Sequence, residues 1–98
     1  MKVTWTARAR TRLAEIHDYI AQDSKSRAVA MVERIVDRSA QLELAPHSGA
    51  RLPVLVDDEV RELLERPYRI VYRVTDTAVE ILTVKRYRQR LVDRPQDF

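Results

Sequence analysis

Residues 60–84 read VRELLERPYRIVYRVTDTAVEILTV, and the spacing of their apolar residues decides the fold class. Three runs rich in β-branched and aromatic residues, Val60 to Leu64, Tyr68 to Val74 and Val79 to Val84, are separated by short polar segments. Runs of this length, bounded by proline, aspartate and threonine, are typical of β-strands that are joined by tight turns. The stretch therefore predicts an antiparallel meander of three strands.

The part of the chain that precedes this meander has the period of helices. Thr6 is a candidate N-cap, and the apolar residues after it recur at spacings of three and four, which predicts an amphipathic helix that ends near Asp23. Ser24 or Ser26 can cap a second helix, so the two form a hairpin. The predicted core stripes are Ala9, Leu13, Ile16 and Ile20 in the first helix, and Ala28, Val32, Ile35 and Leu42, widened by Met31 and Val36, in the second.

A strand is predicted before the helices and a turn after them. Apolar residues alternate in Met1 to Trp5, and Trp5 is expected in the core. Pro46 and Gly49, the only glycine, end the second helix, and we expect Gly49 to adopt a positive φ angle. The order is then β-α-α-β-β-β, an α+β fold in which the helical hairpin packs on one face of a twisted, mainly antiparallel sheet, within a single domain of residues 1–98.

Composition excludes several classes of protein. The chain has no cysteine, so disulfides, thiolate nucleophiles and cysteine-ligated zinc are excluded. His17 and His47 are too few for a histidine metal site and are interpreted as surface residues, so no metal and no cofactor are expected. No segment is as long and apolar as a membrane span or a signal peptide, which predicts a cytoplasmic protein without membrane contact. The net charge of +3 fits an acidic or polyanionic partner.

The run at 68–74 separates its side chains onto two faces, because strand residues alternate. If Tyr68 and its apolar neighbours pack on the helices, Arg69 and Arg73 both project from the opposite face of the strand. One interpretation is a basic patch on a rigid platform. The other, which the spacing alone favours, is a solvated face on which these arginines pair across strands with Glu62 or Glu80.

A second concentration of charge, KRYRQR at residues 85–90, follows the last predicted strand. Arginine forks match phosphate geometry and tyrosine stacks on bases, so this composition suits contact with nucleic acid. Alternatively, the segment stays solvated or complements acidic residues on a partner protein, and both interpretations remain open. Solvated charge is also the interpretation of Glu59, Glu62 and Glu65.

Taken together, these motifs resemble the ParE/RelE superfamily of toxins from bacterial type II toxin–antitoxin systems, over nearly the whole chain. The resemblance is carried by the Trp5-Thr6 opening, the first helical stripe with Tyr19, Leu42 with Pro46 and Gly49, and the runs at 60–63, 68–74 and 79–84. It implies the β-α-α-β-β-β fold, action in the bacterial cytoplasm, a small antitoxin whose C-terminal segment wraps the toxin, and a toxin–antitoxin hetero-oligomer.

The superfamily divides by activity. RelE-type members cleave mRNA on the ribosome, which requires a proton acceptor, cations that hold the phosphate and a proton donor. This chain departs from RelE proper at Val60-Arg61-Glu62, where RelE has two lysines, at Val92, where it has a tyrosine, and in having no histidine after His47. The residues that the resemblance would assign to a nuclease site are Arg69, Arg86, Tyr87 and Lys85.

The first half of the chain and the VREL segment at 60–63 resemble the ParE branch more closely. ParE-type toxins inhibit DNA gyrase by binding and are not nucleases. The resemblance therefore predicts a gyrase inhibitor without catalytic residues, neutralised by a cognate antitoxin, and the alternative is a ribosome-dependent mRNA endoribonuclease. The residues predicted to contact target or antitoxin are Arg61, Arg69, Arg73, Lys85, Arg86, Tyr87, Arg88 and Arg90.

Overall fold

A computed structural model describes residues 1–53 and 59–87. Its elements in chain order are β1 (Lys2–Trp5), α1 (Ala7–Ala21), α2 (Lys25–Ala40), a 3₁₀ helix (Gln41–Glu43), β2 (Ala50–Leu52), β3 (Glu59–Glu65), β4 (Tyr68–Val74) and β5 (Ala78–Arg86). The predicted fold class and the order of the predicted elements are confirmed. Strand β2 is an addition, because a strand of three residues is too short to show an alternating pattern.

All five strands belong to one sheet, in the order β1-β5-β4-β3-β2. Strand β1 runs parallel to β5 and places Trp5 opposite Ile81, whereas the other neighbouring strands are antiparallel. The sheet is therefore mainly antiparallel, as predicted. The parallel pair exists because the helical hairpin separates β1 from the meander in sequence, and parallel strands require such a long connection.

Side-chain caps fix the starts of both helices. The Thr6 hydroxyl accepts a hydrogen bond from the Ala9 amide at 3.1 Å and donates one to the Ile81 carbonyl at 2.9 Å, so it ties α1 to β5. Of the two predicted caps of α2, Ser24 takes this role, because its Oγ accepts from the Arg27 amide at 3.2 Å. Such caps satisfy amide groups that have no partner within the helix.

The core lies between the helical hairpin and one face of the sheet. Helix α1 packs over β5 and α2 packs over β3, which confirms the predicted two-layer arrangement. Leu42 is fully buried as expected, although α2 ends at Ala40 and Leu42 belongs to the 3₁₀ helix. The buried cluster consists of Ala9, Ile16, Ile35, Leu42, Leu63, Tyr68, Ile70, Tyr72, Val79, Ile81 and Val84, with Trp5 and Leu13 packed against it.

The prediction of a positive φ angle at Gly49 is wrong. Glycine is needed there for a different reason: a Cβ atom at this position would lie 2.5 Å from the Glu62 carbonyl oxygen and 2.6 Å from the Tyr72 hydroxyl. The Gly49 amide donates a hydrogen bond to that hydroxyl at 2.9 Å. Close approach of the turn to the sheet, and not backbone conformation, requires the missing side chain.

Candidate functional site

The two arginines that alternate along β4 are tied to glutamates on neighbouring strands. Arg69 Nη1 donates to Glu62 Oε2 at 2.5 Å, and Arg73 Nε donates to Glu80 Oε1 at 3.0 Å. The predicted cross-strand pairing is therefore confirmed. The expectation that Arg69 is open to solvent is wrong, since only 1% of this residue is exposed.

Arg61 holds the turn that leads into β2. Its Nη1 donates to the carbonyl oxygens of His47 and Gly49, at 3.1 and 2.7 Å, while its Nε donates to Glu59 Oε2 at 2.9 Å. The hydrogen bond from Arg61 lowers the pKa of Glu59 below its usual value. Burial raises the pKa of the nearby Tyr72 hydroxyl, against the effect of its hydrogen bond from Gly49. Arg61 thus has a structural role in the described chain.

The expectation of solvated charge at Glu59, Glu62 and Glu65 is wrong, because arginines hold all three. Glu65 accepts from Arg34 Nη2 at 2.6 Å, in addition to the pairs already described for the other two. Arg34 reaches its glutamate from α2, Arg61 from the same strand and Arg69 from the neighbouring strand β4. One sequence does not show which of its charged residues come together on folding.

Both histidines lie at the surface, and each contacts a carboxylate. His17 Nδ1 is 3.0 Å from Asp18 Oδ1, and His47 Nε2 is 3.1 Å from Glu59 Oε2. Their side chains are 40% and 57% exposed.

Within residues 1–53 and 59–87, no three histidine, aspartate or glutamate residues are grouped so that they could hold a metal ion. Among the described residues, no helix has both the length and the apolar composition that a membrane span needs.

The candidate nuclease residues are divided between the two faces of the sheet. Lys85 is the β5 partner of Arg69, and such partners share a face, which is the one away from the helices. Arg86 is the partner of Tyr68 and lines a groove beneath α1. The structure therefore brings Arg69 together with Lys85 and separates both from Arg86. Arg88, Arg90 and Val92 lie outside the described residues.

The groove at Arg86, called the helix–sheet groove below, has a volume of about 330 Å³. Within it, Arg12 Nη1 donates to Glu15 Oε1 at 2.7 Å, and Arg12 Nε donates to the Val84 carbonyl at 3.3 Å. The groove combines cations with aromatic rings, which is a surface for an anionic and partly flat ligand. Its lining residues are Arg12, Glu15, Ile16, Tyr19, Tyr68 and Arg86.

A second groove, called the interhelical groove below, lies between α1 and α2 and has a volume of about 530 Å³. Val36 at its side is 40% exposed, so its predicted place in the core is wrong. With Val29 and Val32 it forms a second apolar stripe on α2, spaced three and four residues apart, a signal that the core stripe concealed. The residues that line this groove are Trp5, Arg10, Leu13, Ala14, His17, Val32 and Val36.

Comparison with known proteins assigns a family to this geometry. A family model described as the ParE toxin of the type II toxin–antitoxin system parDE matches residues 3–91. The chain belongs to the ParE toxin family. Among relatives of this ParE-family chain is Y4kP of Sinorhizobium fredii (strain NBRC 101917 / NGR234), a protein that is named as a toxin. It is 37% identical over 89 residues, which cover 91% of each chain.

Two solved structures are similar to the ParE-family chain. A chain of the chromosomal ParDE toxin–antitoxin system from P. aeruginosa is 32% identical, with a TM-score of 0.73 over 88% of this chain and 95% of that one. The YoeB dimer from Staphylococcus aureus is 22% identical, with a TM-score of 0.53 over 87% of this chain and 94% of that one. The second likeness concerns the fold alone. The ParE branch of the predicted resemblance is thus confirmed, and the chain is a toxin of the type II class.

Proposed function

We propose that this ParE-family toxin inhibits DNA gyrase by binding to it in the cytoplasm, and that a cognate antitoxin neutralises it. The observation that carries the proposal is the position of Arg69 and Arg86 on opposite faces of the sheet. A nuclease would need these cations to converge on one phosphate, with a proton acceptor beside them. Binding without chemistry requires no such convergence.

The alternative, a ribosome-dependent mRNA endoribonuclease, has little support among the described residues. Arg69 is buried and bound to Glu62, so its guanidinium would have to leave a carboxylate in order to reach RNA. Arginine itself is a poor base because its pKa exceeds about 12. Lys85 shares a face with Arg69 but not with Arg86, so these three cations do not converge on one phosphate.

The interhelical groove supports a protein partner. Val32 and Val36 line it across from Leu13 and Ala14, and the exposed Val29 extends the apolar stripe on α2. A groove of this kind accepts the apolar face of an amphipathic helix. Arg10 at the same groove offers a cation to an acidic residue on that helix. The similarity to a member of a ParDE toxin–antitoxin system supports the antitoxin as this partner.

A charge placed in the interhelical groove is expected to weaken antitoxin binding. Val36→Glu should lower the affinity for the antitoxin from the neighbouring gene by roughly 30-fold, since an unpaired carboxylate would be buried against an apolar helix. The side chain is already 40% exposed, so the free toxin should fold normally. Ala30→Glu, which adds the same charge at an exposed position of α2, is the matched control. Equal affinities of the two variants by isothermal titration calorimetry would argue against this groove as the antitoxin site.

The target is tested with purified toxin in the absence of antitoxin. Gyrase should fail to supercoil a relaxed plasmid when the toxin is in excess, and added antitoxin should restore supercoiling. Normal supercoiling at excess toxin would rule out the proposed target.

The alternative is tested by primer extension on translated mRNA, which should show no new ends. Ribosome-dependent cleavage that disappears with Arg69→Ala or Arg86→Ala would establish the nuclease instead. Unimpaired growth on induction would identify an inactive homologue.

A further inference from the structure

Arginine and tyrosine side chains are grouped at one end of the molecule, where β5 ends beside the turn between β3 and β4. Tyr68 and Arg86 are register partners and line the helix–sheet groove together with Arg12 and Tyr19. Tyr87 follows Arg86, and its amide donates to the Pro67 carbonyl at 2.6 Å. We call this the arginine–tyrosine surface, and its residues are Arg12, Tyr19, Arg66, Tyr68, Arg86 and Tyr87.

Two tyrosine rings of this surface are accessible to a ligand. Tyr19 is 61% exposed and Tyr87 is 44% exposed, although aromatic rings usually lie largely buried. The Arg66 guanidinium lies 5.4 Å from the centre of the Tyr87 ring, which orients both groups at the surface. Both exposed rings lie beside cations and outside the buried core.

We propose that the arginine–tyrosine surface binds a single-stranded polynucleotide. An unpaired base would stack on an exposed tyrosine ring, while Arg12 and Arg66 would hold neighbouring phosphates. The helix–sheet groove, at about 330 Å³, has the size of a site for one small ligand such as a nucleotide unit. A duplex does not fit this chemistry, because its bases are already stacked and paired.

The aromatic rings favour a polynucleotide over an acidic protein segment. An acidic peptide needs cations but no flat ring on which to stack, and both exposed tyrosines of the described residues lie beside cations of this surface. The interhelical groove, which is apolar, is the better surface for a protein helix. The two grooves therefore differ in the class of partner that each fits.

Glu15 limits the strength of this site in the wild-type protein. Its carboxylate accepts from Arg12 at 2.7 Å, so it neutralises one of the phosphate-binding cations and repels an incoming phosphate. Removal of the carboxylate by Glu15→Gln should therefore tighten binding. If Glu15 had only a structural role, Glu15→Gln would not tighten polynucleotide binding.

The inference goes beyond the proposed function, since it assigns a nucleic-acid contact to a toxin that was proposed above to bind proteins. Gyrase acts on DNA, so such a contact would let the toxin engage the enzyme and its DNA together. Binding to an oligonucleotide is measured without gyrase. Failure of the gyrase assay would consequently leave this inference intact. Failure of the oligonucleotide assay would likewise leave the proposed inhibition of gyrase intact.

The test is fluorescence anisotropy of labelled oligothymidylate and oligouridylate of about 12 nucleotides at low salt. Tyr19→Ala should weaken binding about fivefold or more, the loss expected for one stacked base. Arg66→Gln should reduce the slope of log affinity against log salt concentration by about 0.7, the value for one lost contact to a single strand. Arg51→Gln, on β2 at the opposite edge of the sheet, removes the same charge and should leave that slope unchanged.

Several results would overturn the proposal. These are the absence of an anisotropy change with either oligonucleotide, losses with Arg51→Gln equal to those with Arg66→Gln, and an affinity unaffected by Tyr19→Ala. Displacement of the oligonucleotide by polyglutamate of equal charge would assign the surface to an acidic protein instead. Tighter binding of one oligonucleotide than of the other supports the proposal and identifies DNA or RNA as the natural source.

Discussion

Gly49→Ala is expected to lower the free energy of unfolding by about 3 kcal/mol, the upper end of the cost of overpacking a core. The added methyl group would meet the Glu62 carbonyl oxygen at 2.5 Å and the Tyr72 hydroxyl at 2.6 Å. The first contact is with backbone in the middle of β3, and the second is with a side chain that is fully buried. Neither neighbour can move without disturbing the sheet.

Thermal and urea unfolding of the purified variant measure this loss. A decrease of 3 kcal/mol corresponds to a fall in Tm of roughly 12–24 °C for a domain of this size. Ser48→Ala, in the same turn, is the control and should change stability by less than about 0.5 kcal/mol. In the Gly49→Ala background, Tyr72→Phe should recover part of the loss, because it removes one of the three atoms that would lie 2.9 Å or less from the added Cβ. A gain in stability of about 0.4–1 kcal/mol for Gly49→Ala, which is the usual effect where the backbone and its surroundings tolerate a side chain, would contradict the close-approach explanation.

Glu62→Ala is expected to cost about 3 kcal/mol, because truncation of one member of a buried ion pair leaves the other charge buried without it. The Arg69 side chain is 1% exposed and that of Glu62 is 19% exposed, so water cannot replace the lost carboxylate easily. Arginine keeps its charge at any pH that the protein tolerates, so it cannot escape the cost by deprotonation.

Glu80→Ala is the matched control, since Glu80 forms the equivalent pair with Arg73 on the same sheet. That pair is 32% and 37% exposed, and its loss should cost less than about 1 kcal/mol. The double variant Glu62→Ala/Arg69→Met should be more stable than Glu62→Ala, because an apolar side chain then occupies the buried position. Equal losses from Glu62→Ala and Glu80→Ala in urea unfolding would show that burial does not strengthen the first pair.

Most of the architecture could be predicted from the sequence, because periodicity is a local property. Thr6, the first helical stripe and the three runs of the meander all lie where their patterns place them. The errors concern contacts between distant residues. Val36 has the spacing of a core residue and yet lies in a groove, because the hairpin turns that side of α2 away from the sheet.

The candidate site was predictable in composition but not in arrangement. The charge of residues 85–90 marks them as candidates, and within that segment Arg86 lines the helix–sheet groove while Tyr87 lies beside Arg66. Arg12, Tyr19 and Arg66 were missed, because each is an ordinary surface residue in its own segment. Only the packing of α1 over β5 and the turn beside it brings them to the same surface.

The sequence by itself determined the order of helices and strands, the cap of the first helix and the family, since each depends on residues that are close along the chain or on a shared motif. The tertiary structure decided which face each arginine occupies and what it contacts. Arg69 and Arg86 are separated by the alternation of two paired strands, whose register depends on the whole sheet. Gly49 is required by the distance between a turn and a strand that meets it only after folding.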